Sequence, residues 1–236
     1  MSLGGARKLR NLWRITRPGR RAPRYASRLR PQRPPGVAMA PYDSITLASA
    51  SPRRSQLLEQ IGVRHRVRPT EIDETPRPGE APEAYVARLA AGKAEAAWAA
   101  DPSRPVLAAD TAVALGAELF GKPEDQNDGV RMLAALAGRT HRVLTAVAVR
   151  SGGGLRSALS VSDVSFRALT PAECRRYWET GEPRGKAGGY AIQGLAATFI
   201  TRLAGSYSGV MGLPLAETAQ LLAAACVRLW NCEEVA

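Results

Sequence analysis

Val106-Leu107-Ala108-Ala109-Asp110-Thr111-Ala112-Val113-Ala114-Leu115 is an apolar run with a carboxylate and a hydroxyl at its centre. Val106 to Ala109 reads as a buried strand that Asp110-Thr111 interrupts, with apolar residues resuming at Ala112. An unpaired carboxylate is costly in such surroundings. Asp110 is therefore expected to meet a metal, a cation or a proton-transfer task; a strand-end carboxylate capping a turn is the plainer alternative. Upstream, a helix is expected from about Glu83 to Ala100. Val86, Leu89, Ala90, Lys93 and Ala97 share one of its stripes. A lysine on an apolar stripe either snorkels past it or points into a polar cleft.

Further out, apolar runs alternate with helical patterns. Ile45 to Ala48 reads as a strand. A helix follows with Ser51 as N-cap and Pro52 at the first position, running to Gly62. Downstream, a helix begins at Asp125 and stops at Gly138. His141 to Arg150 and Leu155 to Arg167 flank Gly152-Gly153-Gly154, a hairpin signal. Thr170-Pro171-Ala172-Glu173 is a capping box opening a helix that ends at Gly181. Glycine-rich residues from Gly185 to Gly194 lead to a strand over Ala197 to Arg202. The final helix follows Pro214, with Leu215, Ala219, Leu222, Cys226 and Leu229 at helical spacing. Strands that alternate with helices and also pair as hairpins predict an α/β fold with a mixed sheet.

Charge divides the 236-residue chain. Its formal net charge is +12, yet residues 1–42 hold eleven bases and no acid, and residues 43–236 hold 22 bases against 21 acids. A basic, Pro/Arg-rich leader thus precedes a nearly neutral body large enough to bury a core. The leader offers too little apolar surface to offset ordering entropy and is expected to be disordered. Without an apolar h-region it is no secretory signal. A transit peptide, a polyanion-binding tail, or a start assigned upstream of Met39 all remain readings of it. No stretch approaches the ~18 apolar residues of a membrane span. Cys174, Cys226 and Cys232 show no CxxC spacing and there are only two histidines, which argues against a disulfide scaffold or a zinc site and for reduced, cytoplasmic thiols.

Several segments carry candidate chemistry. In Ser49-Ala50-Ser51-Pro52-Arg53-Arg54, two hydroxyls and two guanidinium forks sit at a helix start, a plausible anion site, though a capped helix with solvated arginines fits equally well. Asp73 and Glu74 could join Asp110 around a hard divalent cation, Mg²⁺ or Mn²⁺. Lys122, between Gly121 and Pro123, sits on a rigid turn that would aim an ammonium. Gly185 to Gly194 permits close backbone approach and offers one amide, Gln193. Basic forks, acids for a metal and a buried carboxylate together suit a polyphosphate.

The motifs SASPRR (Ser49 to Arg54), EIDET (Glu71 to Thr75), AADT (Ala108 to Thr111), GKP (Gly121 to Pro123), KAGGYAIQG (Lys186 to Gly194) and GSYSGVMGLPL (Gly205 to Leu215) occur in one order. In these the chain resembles the Maf nucleoside triphosphate pyrophosphatases, also called septum formation inhibitor proteins. The match runs from about Ile45 to the last helix and omits the leader. One departure is Gly209-Val210-Met211, where members often have Asn-Val-Val. The resemblance implies an elongated mixed β-sheet flanked by helices, with two lobes around a cleft, related to inosine triphosphate pyrophosphatases and often dimeric. It implies cleavage between the α and β phosphates with a divalent metal, yielding a nucleoside monophosphate and pyrophosphate. Asp110 matches the proton acceptor. Arg54, Glu74, Lys93 and Lys122 match phosphate- or metal-handling positions, and Glu74 with Asp110 would hold the metal. Arg53, Thr111 and Gln193 match the specificity positions of the branch acting on dTTP and UTP; Ser49 and Ser51 would hold phosphate oxygens. The alternatives are a preference for 7-methyl-GTP or inosine-type nucleotides, or a septation-related binding protein. Nucleic-acid contact is expected only as weak binding by the leader.

Overall fold

The computed structural model describes residues 41–230. The basic leader lies outside the described residues except for its last two, Pro41 and Tyr42. Strands β1 (Ile45–Leu47), β2 (His65–Val67), β3 (Val106–Leu115), β4 (Glu118–Phe120), β5 (Thr140–Ser151), β6 (Gly154–Phe166) and β7 (Ile200–Ala204) form one mixed sheet. Its order is β2-β1-β3-β5-β6-β7, with β4 also paired to β3. Helices α1 (Pro52–Gln60), α2 (Pro82–Ala100), α3 (Gln126–Leu136), α4 (Pro171–Glu179), α5 (Tyr207–Met211) and α6 (Leu215–Ala224) flank it. Short 3-10 turns lie at Ala187–Gly189 and Leu195–Phe199.

Asp110-Thr111 does not interrupt the strand. β3 runs unbroken from Val106 to Leu115 and pairs antiparallel with β5 over nine positions, Val106↔Arg150 to Ala114↔Arg142. The expected break fails because the buried carboxylate is compensated: Lys93 Nζ on α2 donates to Asp110 Oδ1 at 2.7 Å. With the charge paired, the strand continues through it.

The other edge of β3 explains the cleft. β1 pairs parallel with Val106 and Leu107, while β4 pairs antiparallel with Val113 to Leu115. Neither strand covers the intervening stretch, and Asp110 lies within it. The two faces of β3 also differ. Ala108, Ala112 and Ala114 pack with Ala146 and Ala148 against Ala90, Ala94 and Ala97, small residues that let α2 lie close to the sheet. On the opposite face, Leu107 and Ala109 join one apolar cluster with Leu57, Leu58 and Leu222, and Val113 joins another with Leu133, Phe166 and Phe199. Thr111 falls at the junction. Long strands thus carry two lobes, and the cleft opens where their cores part.

Other boundaries shift for local reasons. β2, β4 and α5 are too short, at three, three and five residues, to give a periodic signal. The strand expected over Ala197 to Arg202 begins at Ile200, after a 3-10 turn. The last helix ends at Ala224, not at the stripe's end. Cys226 adopts φ 57°, and Val227 turns to bridge Tyr42 at the start of the described chain. The Thr170–Glu173 capping box forms in full. Ser51 occupies the N-cap of α1 but makes no side-chain cap bond; its backbone N–H donates to Ser49 Oγ at 3.3 Å.

A second buried polar pair lies in the cluster around Phe166. His141, 1% exposed, meets Tyr190 Oη through Nε2 at 2.8 Å, and its Nδ1 has no partner among the described residues. Burial pushes its pKa from 6.5 down to about 4. Between those values the unfolded chain binds the extra proton. Stability is therefore intact above about pH 6.5 and falls by about 3 kcal/mol as pH drops to about 4. Urea midpoints at pH 7 and pH 4.5 should show this acid loss in the wild type and a smaller one in His141→Gln. The β3 pair makes a separate prediction. Lys93→Met strands a buried carboxylate and should cost about 3 kcal/mol in urea unfolding, part of which Asp110→Asn in the same chain restores.

Candidate active site

A cleft of about 720 Å³ opens along the uncovered edge of β3. Ser49, Ser51, Arg53, Arg54, Glu74, Lys93, Asp110, Thr111, Lys122 and Gln193, every residue that sequence reasoning nominated except Asp73, line it. They come from six separate segments. The stretch from the loop after β1 into the first turn of α1 brings the serines and then the arginines, and the loop before α2 brings Glu74. Lys93 comes from α2, Asp110 and Thr111 from β3, Lys122 from the turn after β4, and Gln193 from the glycine-rich segment.

At its base, Lys93 Nζ lies 2.7 Å from both Asp110 Oδ1 and Glu74 Oε1. The stripe lysine thus points into the polar cleft rather than snorkelling. Burial alone would raise the Glu74 pKa, but the Lys93 hydrogen bond and the charges of Lys93, Lys122 and Arg54 outweigh it and leave the carboxyl below its usual range. Tyr85 Oη donates to the Glu74 carbonyl at 3.1 Å. The same loop is pinned further along, where Arg88 grips Glu80 with two bonds of 2.7 Å and also reaches the Thr75 carbonyl. That grip draws the Glu80 pKa down to about 2. Asp73 does not join the cleft; its Oδ1 accepts from Thr75 N–H at 2.9 Å, closing a turn.

Arg54 is held on three sides. Nε donates to the Gly212 carbonyl at 2.8 Å, Nη1 to Ser49 Oγ at 2.8 Å and Nη2 to Thr111 Oγ1 at 3.2 Å. Burial lowers its pKa, against the opposing pull of Asp110. Behind it, Thr145 gives its hydroxyl proton to the Gly209 carbonyl at 2.7 Å. Thr111 must therefore be the donor in its 3.0 Å bond with Thr145. With its proton given to Thr145 and a lone pair to Arg54, Thr111 serves chiefly to fix the guanidinium. Arg53 is held more lightly, its Nε 3.4 Å from the Met211 carbonyl.

On the far wall, Gly188 N–H donates to the Gly121 carbonyl at 2.9 Å, tying the glycine-rich segment to the turn that carries Lys122. Gly188 has φ +69°, and a Cβ there would lie 2.9 Å from Val113 Cγ2, so only glycine fits. Sequence reasoning missed Thr145, Tyr85, Arg184 and Lys186 as site residues. Thr145 had a faint signal, as a hydroxyl within the apolar stretch Val143 to Val149 and directly opposite Thr111 in the β3–β5 register. Lys186 lies inside a quoted motif; Arg184 and Tyr85 had no local pattern.

Among the described residues no group of three or more His, Cys, Asp or Glu converges as a metal cage. Two carboxylates do converge, since Glu74 and Asp110 both reach one nitrogen. That donor set suits Mg²⁺ or Mn²⁺, which take one or two carboxylates and fill their other positions with water and substrate phosphates. No helix among the described residues is long and apolar enough to cross a membrane.

The model of the family described as Maf-like protein matches residues 44–225. A dTTP/UTP pyrophosphatase of Cereibacter sphaeroides is 55% identical over 189 residues, covering 80% of this chain and 98% of the relative. Another, from Cupriavidus pinatubonensis, is 53% identical over 198 residues, with 79% and 99% covered. A third, from Chromobacterium violaceum, is 53% identical over 184 residues, with 76% and 93% covered. The motifs that carry the resemblance are those lining the cleft, and the chain belongs to the Maf-like protein family.

Proposed function

We propose that the chain hydrolyses nucleoside triphosphates, dTTP and UTP in preference, between the α and β phosphates to give the monophosphate and pyrophosphate. The observation that carries this reading is a buried carboxylate, Asp110, at the base of a cleft whose other charged groups are mainly cations. Relatives above 50% identity are named for this activity. Removal of modified pyrimidine nucleotides from the pool is the role such an activity would serve.

Asp110 supplies the base. Lys93 occupies its Oδ1, which leaves Oδ2 to take a proton from water as it attacks phosphorus. The triphosphate is densely anionic and would repel an incoming hydroxide. Lys122 and Arg54 offset that charge, most strongly as it redistributes in the transition state. Ser49 and Ser51 hold phosphate oxygens beside the start of α1. Glu74 and Asp110 would hold the divalent cation, which when bound withdraws negative charge from phosphoryl oxygens. Gln193 both donates and accepts, matching a uracil or thymine carbonyl and N3–H, and Arg53 adds a donor that favours carbonyl-bearing pyrimidines. From the family resemblance we also infer a homodimer acting in the cytoplasm.

Asp110→Asn should lower kcat by about 10²–10⁴-fold, the usual contribution of a general base, in a pyrophosphate-release assay with dTTP. Retention of full activity would remove Asp110 from the reaction. The same assay across canonical and modified triphosphates, 7-methyl-GTP and ITP included, should rank dTTP and UTP first. Chelation should abolish turnover, and Mg²⁺ or Mn²⁺ should restore it.

A further inference from the structure

Glu182 has no place in the chemistry above, yet it makes an unusual set of bonds. It stands just after α4, 13 and 14 residues before the two backbone N–H groups it grips, just past the glycine-rich segment. Its Oε1 accepts from Tyr177 Oη at 2.6 Å and from Ala196 N–H at 3.2 Å, and its Oε2 accepts from Leu195 N–H at 2.9 Å. Tyr177 Oη in turn accepts from Ala191 N–H at 3.3 Å. The Glu182 carbonyl accepts from Lys186 Nζ, a cleft-lining ammonium. The carboxylate also lies flat against Gly194, where any Cβ would overlap it.

These bonds bracket Ile192-Gln193-Gly194, with Gln193 at the centre. Ala191 is tied on one side of Gln193, through Tyr177, and Leu195 and Ala196 are tied directly on the other. Gln193 itself is exposed and lines the cleft. Two backbone N–H groups and a phenol O–H, all donors, converge on a group that only accepts. An exposed amide on a loop reads a base edge well only if its backbone is held still, because misplacement by about 1 Å can cost two orders of magnitude. None of the Glu182 bonds reaches Asp110, Lys93 or Glu74.

We propose that Glu182 is a positioning residue for nucleobase selection, its carboxylate clamping the segment 191–196 so that Gln193 meets the pyrimidine edge in one pose. The inference rests on the reading of Gln193 as a base-contacting group. Burial would raise the Glu182 pKa, but the Tyr177 bond, the two backbone N–H bonds and the Lys186 charge outweigh it, so the carboxyl stays below its usual range and the clamp stays anionic. A glutamine at 182 keeps one accepting oxygen and loses the other, so it preserves part of the clamp.

The test compares wild type, Glu182→Gln, Glu182→Ala, Gln193→Ala and the Glu182→Ala/Gln193→Ala double variant. The readouts are kcat and KM for dTTP and CTP, and calorimetric affinity for a non-hydrolysable α,β-imido dTTP. Glu182→Ala should raise KM for dTTP and weaken analogue binding about tenfold, the loss of roughly one well-placed hydrogen bond, with kcat changed less than about twofold. Glu182→Gln should fall between. The dTTP-over-CTP ratio should drop in both single alanine variants, and the double variant should be no less selective than Gln193→Ala, as coupled residues require. A Glu182→Ala variant that keeps wild-type KM and selectivity while Gln193→Ala loses them would overturn the clamp and leave the reading of Gln193 standing. Unchanged selectivity in Gln193→Ala would overturn both. Should Glu182→Ala not fold, Tyr177→Phe cuts the link to Ala191 while keeping the ring packed 5.0 Å from Phe199, and the same KM-specific loss is expected of it.

Discussion

A carboxylate in the middle of a buried strand is the constraint from which the rest of the molecule follows. Asp110 is 8% exposed and Lys93 is 9% exposed, so neither could be charged there alone. Paired at 2.7 Å, they let β3 run through what would otherwise be a break. Breaking one partner of such a pair costs more than the pair contributes, because the survivor is left buried and charged. The fold therefore needs α2 to cross that point of the sheet. The run of alanines on both surfaces lets the helix lie close enough for a lysine to reach.

Continuity of β3 then fixes the site. The strand is covered at its two ends by β1 and β4 and left open between them, so a cleft lies at Asp110 without any loop having to be hollowed out. The opposite face of the strand repeats the pattern with a hydroxyl. Thr111 stands where the two apolar clusters part, and the hydrogen-bond chain that runs from Arg54 through Thr111 and Thr145 to the accepting Gly209 carbonyl crosses that seam. Each hydroxyl in it is satisfied in one direction only, so it cannot re-form with the guanidinium turned away.

Much of this was legible in the sequence, and the reasons for success and failure are physical. Asp110 inside VLAADTAVAL and Lys93 on an apolar stripe each break a local rule, and together they compensate each other; sequence reading flagged both without pairing them. All nominated side chains but Asp73 reach the cleft, and those on loops, Ser49, Ser51, Glu74, Lys122 and Gln193, were legible because chemistry-bearing loop residues are rarely needed for packing. The expected break in β3 was wrong because propensity arguments see the cost of a buried charge but not its partner on a helix 17 residues away. Short elements such as β4 and α5 fell below any periodic window, and both nonetheless matter: β4 bounds the cleft, and α5 carries the Gly209 carbonyl that sets the Thr145–Thr111 donor order. Glu182 was invisible for a related reason, since nothing local distinguishes it from any glutamate after a helix.

The cleft's charge is arranged so that substrate is needed to neutralise it. Six cationic side chains line it, Arg53, Arg54, Lys93, Lys122, Arg184 and Lys186, against three carboxylates, Glu71, Glu74 and Asp110. Two of those acids are already spent on Lys93. The other anchored cations are held mainly by neutral acceptors: Arg53 by the Met211 carbonyl, Arg54 by the Gly212 carbonyl and two hydroxyls, and Lys186 by the Glu182 carbonyl. A carbonyl orients a cation without cancelling its charge, so orientation and net positive field coexist. Desolvation lowers the pKa of Arg53 and of Lys186, and the nearby Arg53 charge lowers the latter further, a mutual strain that an incoming polyanion relieves. Whole-chain charge obscures this, because the excess of +12 is carried almost entirely by the leader. The charge that selects a triphosphate is the small local surplus that backbone carbonyls hold in place and leave uncancelled.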